Sequence, residues 1–470
     1  MKRYERLADE IAASILSGVL QVGDRLPPVR KASATRGVSP STVFKAYYLL
    51  EARGIIRARD RSGYYVVGRP DKLPPELDTA AAAEARRAPV DVSDRVLQVL
   101  NATMQRDMVP FGSAFPCPTL FPHARLAQVM AATVQRLDPW SSIDDLSPGN
   151  AALRRAIALR YLADGIATHT DDIVITNGAL EALNLCLAAV TRPGDAVIVE
   201  SPTFYAALQS LERCGLHAIE VATHPREGIE LDALAQAIRH HKPAACWLMT
   251  NFQNPLGSLM PDDKKAALVH LLARHGVPLI EDDVYGELYF GTRRPRPAKA
   301  YDEEGNVMHC SSFSKSLAPG YRVGWVVGGR HTHAILRNKL STSLATAAPT
   351  QATLAAYLQR GGFDRHLRQL RQTLALQQSE FLQAVARYFP KGTRATRPVG
   401  GYFTWVELPP HIDVLRVHQA ALGHGINIAP GALFSAQDAY RNCLRLNFGH
   451  PWNARMKAAM VTLSKLLAAA

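Results

Sequence analysis

Apolar residues Leu7, Ile11, Ile15 and Leu16 recur at helical spacing, and the run ends at Gly18. The string Leu26-Pro-Pro-Val-Arg30 opens a second helix, with proline in the first turn, where its missing N–H is tolerated. Gly37-Val38-Ser39 reads as a turn, and Ser39 or Ser41 can cap a third helix running through Val43, Ala46, Tyr47 and Leu50 to a stop near Gly54. Two short β runs, residues 55–59 and 64–67, flank Asp60-Arg-Ser-Gly63 and predict a hairpin. Residues 1–68 thus read as one compact unit of three helices and a hairpin.

The pattern then changes. Residues 69–90 hold Pro70, Pro74, Pro75, Pro89 and an alanine run at 80–83 without a clear apolar period, which predicts a linker, partly helical. From residue 91 to 470, short β runs alternate with helical stretches. That alternation predicts an α/β unit with a parallel, doubly wound sheet and crossover helices. No internal repeat of fixed period is visible.

Composition narrows the possibilities. Of 470 residues, 47% are apolar, enough for a large buried core. No apolar run approaches the roughly 18 residues of a membrane span. The basic N-terminus meets Asp9 and Glu10 rather than an apolar stretch, unlike a secretory leader. The six cysteines (117, 186, 214, 246, 310 and 443) form no Cys-x-x-Cys pair, which suits reduced thiols in cytoplasm rather than disulfides or zinc. His240-His241 and His331/His333 lack accompanying ligands, so no metal site is expected. Metalloprotease, P-loop and nucleophile-elbow motifs are missing. The net charge is +13, and residues 1–70 hold thirteen Lys and Arg against six Asp and Glu, a net of +7. A basic excess in so short a stretch points to a polyanionic partner.

Polar residues cluster where the predicted strands end. Residues 196–200 lead to Ser201-Pro-Thr-Phe-Tyr205, and 246–250 lead to Asn251-Phe-Gln-Asn254-Pro-Leu-Gly257. Residues 277–280 lead to Glu281-Asp282-Asp283-Val-Tyr285, and 307–310 lead to Ser311-Ser312-Phe-Ser314-Lys315. Doubly wound sheets bind ligands beyond the carboxyl ends of their strands. The converging groups suit pyridoxal 5′-phosphate (PLP). An amine such as Lys315 can form a Schiff base with it, and a carboxylate such as Asp282 can keep its pyridine nitrogen protonated. Asn254 and Tyr285 can bond the ring hydroxyl, and Tyr205 can stack on the ring. Gly178, Ala179 and Leu180 at a helix start, with Ser312, Ser314 and Arg322, supply the amides, hydroxyls and cation that a phosphate needs. Singly, each of these residues reads as packing, a helix cap or a surface charge; their order and placement together favour the cofactor.

Two resemblances follow from these residues. Gly23-Asp-Arg-Leu-Pro-Pro-Val-Arg30, Val38-Ser-Pro-Ser-Thr-Val43, Ala46-Tyr47 and Ser62-Gly63-Tyr64 resemble the GntR-type winged helix-turn-helix. That likeness implies DNA contacts from Arg30, Ser39, Ser41, Thr42 and the wing at Gly63. Pro40 stands where the family often has a basic residue. Asn254-Pro-Leu-Gly257, Asp282-x-x-Tyr285, Ser312-x-Ser-Lys315 with Arg322, Pro430-Gly431 and Leu444-Arg445-Leu-Asn-Phe448 are similar to fold-type I PLP aminotransferases. The spacing from Lys315 to Arg322 is nearest the kynurenine/aminoadipate branch. The likeness implies a large sheet domain plus a small α+β domain, a catalytic Lys315, and Arg445 gripping a substrate carboxylate. Leu256 replaces a usual threonine, Asp144 stands where a tyrosine from a neighbouring subunit is common, and Ala179 and Leu180 offer no side-chain donor.

The two units joined resemble the MocR subfamily of transcription regulators. This implies a cytoplasmic homodimer that binds double-stranded DNA at paired half-sites and senses PLP, an amino acid or another amine. An active aminotransferase with a fused DNA-binding head is the alternative. A repressor whose large unit is only a dimerisation scaffold is disfavoured by the intact pocket.

Overall fold

A computed structural model describes residues 3–52, 55–59, 62–66, 73–80, 85–103, 106–437 and 439–470. The head consists of α1 (Arg3–Leu16), α2 (Val29–Arg36), α3 (Pro40–Ala52) and the antiparallel hairpin β1 (Ile56–Arg59) and β2 (Gly63–Val66). Leu7, Ile11 and Ile15 of α1 meet Val43, Tyr47 and Leu50 of α3 in a core of their own.

Both prolines lie ahead of α2 rather than in its first turn. Pro28 is the residue before the helix, with ψ 146°. The segment is held extended because the Leu26 amide donates to the Tyr64 carbonyl and the Tyr47 hydroxyl donates to that of Pro27. Ser39 proves to be the cap of α3, its Oγ accepting from the Thr42 amide at 3.2 Å. The expected helix stop at Gly54 and the turn residues Asp60 and Arg61 lie outside the described residues. Arg57 of the wing forms an ion pair with Glu380 of the large unit.

The expected linker is laid along the large unit wherever it is described. Glu76 pairs with Arg226, the Leu77 amide donates to Ala395, and β3 (Arg87–Ala88) adds an antiparallel edge strand to the main sheet. The alanine run falls mainly outside the described residues.

The main sheet also contains β4 (Ile173–Thr176), β5 (Ala196–Ser201), β6 (His217–His224), β7 (Ala245–Leu248), β8 (Leu279–Asp282), β9 (Val307–Ser312) and β10 (Gly324–Val327). Its order is β3-β6-β5-β7-β8-β9-β10-β4, and a short strand, Gly228–Ile229, pairs with β6. From β6 to β9 all neighbours run parallel, while β10 opposes both β9 and β4. The central strands are buried on both faces, which explains their unbroken apolar runs. A second, antiparallel sheet joins β11 (Arg394–Ala395), β12 (Phe403–Glu407), β13 (Ala429–Pro430) and β14 (Cys443–Asn447) in the order β11-β12-β14-β13. The architecture is a mostly parallel sheet with a small α+β domain and a winged-helix head. No helix among the described residues is long and apolar enough to cross a membrane, and none of their His, Cys, Asp and Glu side chains group as a metal site.

Candidate functional site

Thr176 ends β4, and Gly178, at φ +86°, turns the chain into the helix Ala179–Val190. A Cβ at 178 would collide with Arg322 Nη2, and one at Gly324 would lie 2.6 Å from the Gly178 carbonyl carbon. The two glycines therefore let β10 and the helix entrance approach closely enough to set Arg322 against the turn. Arg322 donates to Ser314 Oγ at 3.3 Å and to the Asn177 carbonyl at 3.4 Å. The first amides of the helix, at Ala179 and Leu180, have no acceptor within it, and this is its positive end. The Leu180 side chain itself is exposed, so only its backbone faces the turn. The Ser314 amide donates to Ser312 Oγ at 3.3 Å, and both serines are buried. Amides, hydroxyls and a guanidinium converge here as an anion would require.

Asp282, the last residue of β8, is buried with Val284 as its hydrogen-bond donor at 3.4 Å. Burial, assisted by Asp283 and opposed by the Val284 amide and Lys315, pushes its carboxyl up to about 7. Lys315 lies three residues past β9. Its Nζ donates to the Ala114 carbonyl at 3.0 Å and stands 3.6 Å from the centroid of the Phe115 ring. Burial, then Arg445 and Arg322 against the attraction of Asp282, pushes this ammonium down to about 7. The lowering favours the neutral amine, the form in which a lysine is nucleophilic.

Arg445 is fully buried in β14, flanked in register by Trp405 and Ala429. Its Nη1 donates to Asn254 Oδ1 at 3.1 Å and its Nη2 to the Gly112 carbonyl at 2.7 Å. Its Cζ lies 4.2 Å from the Phe403 ring centroid and 5.2 Å from that of Phe434. No carboxylate pairs with it among the described residues, and its Nε has no partner. Asn254 Nδ2 is also buried without a partner. Buried donors are nearly always satisfied, and leaving one unpaired costs about 1–3 kcal/mol. Two such donors sit on side chains joined to each other at 3.1 Å, where a ligand's acceptors would satisfy them. Tyr285 is buried edge-on to Tyr402 and Phe403, and burial raises its phenol. Tyr205 begins the helix Tyr205–Arg213, its ring 5.6 Å from Phe434 and 5.9 Å from the Arg445 guanidinium.

Several participants escaped the sequence reading. The strap from Gly112 to Phe115 supplies carbonyls to Arg445, Lys315 and the Tyr402 hydroxyl. Gly112 must be glycine, since a Cβ would meet the Ile428 carbonyl carbon at 2.6 Å. That glycine between Phe111 and Ser113 was the available signal. Glu200 of β5 is buried and pushed up to about 8 by burial, despite the Met249 amide that donates to it. Leu256, in place of the usual threonine, is buried, and Asp144 is exposed.

In the head, Arg30 is exposed on α2, Ser39 and Ser41 are exposed at the start of α3, and Thr42 is half-buried. Ser39 Oγ also contacts the hydroxyls of Ser41 and Thr42, at 3.0 and 2.9 Å. Gly63, at φ +101°, opens β2 with the Arg25 guanidinium beside it.

Residues 3–66 match the family "Bacterial regulatory proteins, gntR family", and residues 141–461 match "Aminotransferase class I and II". The HTH-type transcriptional regulator YdcR of Escherichia coli (strain K12) is 47% identical over 99% of both chains. The chain belongs to the MocR subfamily of GntR-type transcription regulators. Like this MocR chain, YjiR of the same organism is an HTH-type regulator spanning nearly the whole length, at 38% identity over 98% of this chain and 97% of that one. Among solved structures, the large domain of the MocR chain is similar to LysN, the α-aminoadipate aminotransferase of Thermus thermophilus. The two are 28% identical with a TM-score of 0.73, over 80% of this chain and 94% of that one. That structure holds N-(5′-phosphopyridoxyl)-L-leucine.

Proposed function

We propose that this protein is a dimeric, DNA-binding transcription regulator whose large domain takes PLP and an amino compound and thereby sets the DNA affinity of its heads. The observation that carries the reading is the pair of unpartnered buried donors, Asn254 Nδ2 and Arg445 Nε, on side chains that bond each other at 3.1 Å.

The residues present fit PLP. The helix start at Gly178, Ala179 and Leu180, with Ser312, Ser314 and Arg322, would hold its phosphate. Asp282 would face the pyridine nitrogen, and its raised carboxyl lets it share a proton there. Asn254 Nδ2 and the Tyr285 hydroxyl would face the ring oxygen, Tyr205 would cover the ring, and Lys315 would hold the cofactor covalently. When bound, PLP supplies an aldehyde for amines and a ring that draws electrons. Arg445, freed from the Gly112 carbonyl, would grip the carboxylate of an amino acid.

The head would place α3 in a major groove, with Ser41 and Thr42 near its entry and Arg30 and the Gly63 wing on the backbone. A homodimer is supported by exposed Trp140, Ile143, Leu340 and Leu344, on two segments that the Leu146–Ala345 bridge joins. Two-fold symmetry then calls for paired half-sites. An effector can shift this dimer only by binding one arrangement better than another.

The test is to select duplexes from a random pool and measure affinity with and without PLP and a panel of amino acids. Coupled changes in the cofactor's visible absorption and in DNA affinity are expected. Rapid multiple turnover to a keto acid, with DNA affinity indifferent to every amine, would instead establish an enzyme with a passive head.

A further inference from the structure

We infer that Phe44 reads a thymine methyl group in the major groove, so that each half-site recognised by this protein contains a thymine whose C5-methyl is required. The inference rests on the DNA-binding reading above and adds to it a base and a contact.

α3 buries Val43, Ala46, Tyr47 and Leu50 on one side. Ser41, Phe44, Lys45 and Tyr48 follow the i, i+3, i+4, i+7 spacing of the opposite face. Ser41 and Lys45 are exposed, and Phe44 is 53% exposed. Among the described residues of the head, Phe44 is the one aromatic side chain with more than half its surface in water. It lies between Ser41 and Lys45 on that face, in a segment (residues 1–70) carrying a net +7. An aromatic ring there contributes nothing to the head's own core, whose members lie on the other face of α3.

The helix is fixed in presentation. The Ser39 cap sets its start, the Tyr47 hydroxyl ties it to Pro27, and the Tyr47 and Tyr64 rings meet edge-on at 5.2 Å beside the wing. The N-terminal turns of such a helix face base edges. Ser41, Phe44 and Lys45 therefore share the readout position. Lys45 can serve phosphate or guanine, Ser41 is a short hydroxyl, and Phe44 cannot hydrogen-bond with its side chain. The one apolar feature on a major-groove base edge is the thymine methyl, and phenylalanine is among the side chains that contact it. Pro40 in the first turn is likewise unable to donate, so this chain's readout leans on apolar contact at that end of the helix.

The experiment uses the full-length protein and a consensus duplex selected from a random pool. Each thymine in one half-site is replaced in turn by deoxyuridine, which removes only the methyl group. At one position wild-type affinity should fall about fourfold, the value of one buried methyl-sized group. Symmetric replacement in both half-sites should cost roughly sixteenfold if they act independently. Phe44→Ala should bind the thymine duplex more weakly and treat thymine and uracil at that position alike, with its salt dependence unchanged because no phosphate contact is lost. Because Phe44 lies outside the core, the variant should keep the wild-type melting temperature, and Phe44→Leu should retain part of the discrimination.

Three results would overturn the inference. One is a selected duplex in which no thymine-to-uracil change weakens wild-type binding. Another is a Phe44→Ala protein that still discriminates the methyl. The third is failure to enrich any duplex, which would remove the DNA-binding reading together with this one. The first two leave the DNA-binding reading intact.

Discussion

Replacing Arg445 by methionine should leave the protein about as stable as before and make it deaf to amino acids. Burying a guanidinium costs several kcal/mol. Against this stand two hydrogen bonds from the charged group, to Asn254 Oδ1 and the Gly112 carbonyl, at about 1.5–3 kcal/mol each, and contact with the Phe403 ring, at up to about 2 kcal/mol. These contributions nearly offset one another, and among the described residues no carboxylate pairs with the charge. Arg445→Met keeps most of the apolar volume, so its stability should change by less than about 2 kcal/mol in either direction, whereas truncating a large buried side chain ordinarily costs about 3–5 kcal/mol. Binding is a separate matter. Two charge-assisted bonds to a ligand carboxylate are worth roughly 3–6 kcal/mol, so amino acid affinity should fall at least about a hundredfold. Thermal denaturation without effector measures the first quantity. Titration of the PLP-loaded protein, followed by visible absorption, measures the second. Butylamine, which has no carboxylate, is the control and should respond equally in both proteins. A variant destabilised by more than about 4 kcal/mol, or one with an intact amino acid response, would refute this role for Arg445.

Other consequences follow from the same geometry. The rate at which the apoprotein couples covalently to PLP should rise with pH around 7, because a lowered lysine pKa leaves the amine neutral above that value; a rise centred near 10.4, the ordinary lysine value, would exclude a depressed Lys315. Lys315→Ala should abolish the visible band while near-native melting is retained. Gly178→Ala drives a Cβ into Arg322 Nη2 at a φ of +86°, so it should cost about 1–3 kcal/mol of stability and weaken PLP at least tenfold. Phosphate-free pyridoxal, titrated in parallel, should be weakened far less. Arg30→Ala should weaken DNA binding and reduce the slope of log affinity against log salt by about 1, with the visible band unchanged.

The head was legible because its signals are local. Helical spacing through Ile11 and Ile15, the Ser39 cap and the glycine before Tyr64 each act within a few residues of where they are written. The misplaced start of α2 shows the limit of local reading. Pro27 and Pro28 would be tolerated in a first turn, but hydrogen bonds from Tyr47 and to Tyr64, residues distant in the chain, hold that segment extended. Similarly, the proline-rich stretch around Glu76 has no apolar period of its own, yet it gains order by pairing with Arg226 and Ala395.

The large-domain pocket was legible for a topological reason. A parallel sheet brings successive strand ends to one edge, so Asp282, Asn254 and Lys315, far apart along the chain, could be assigned to one crevice from strand ends alone. Sequence by itself thus determined the fold class and the joining of a GntR-type head to an aminotransferase-like domain. Tertiary structure decided which of those groups lack partners. Asn254 Nδ2 and Arg445 Nε are orphaned, and the Gly112–Phe115 strap holds Arg445 and Lys315 through its carbonyls. Hydrogen-bond satisfaction and desolvation depend on everything packed around a group, including strands joined by no local pattern. Periodicity can place a residue on a face, but only packing decides whether its charge is answered.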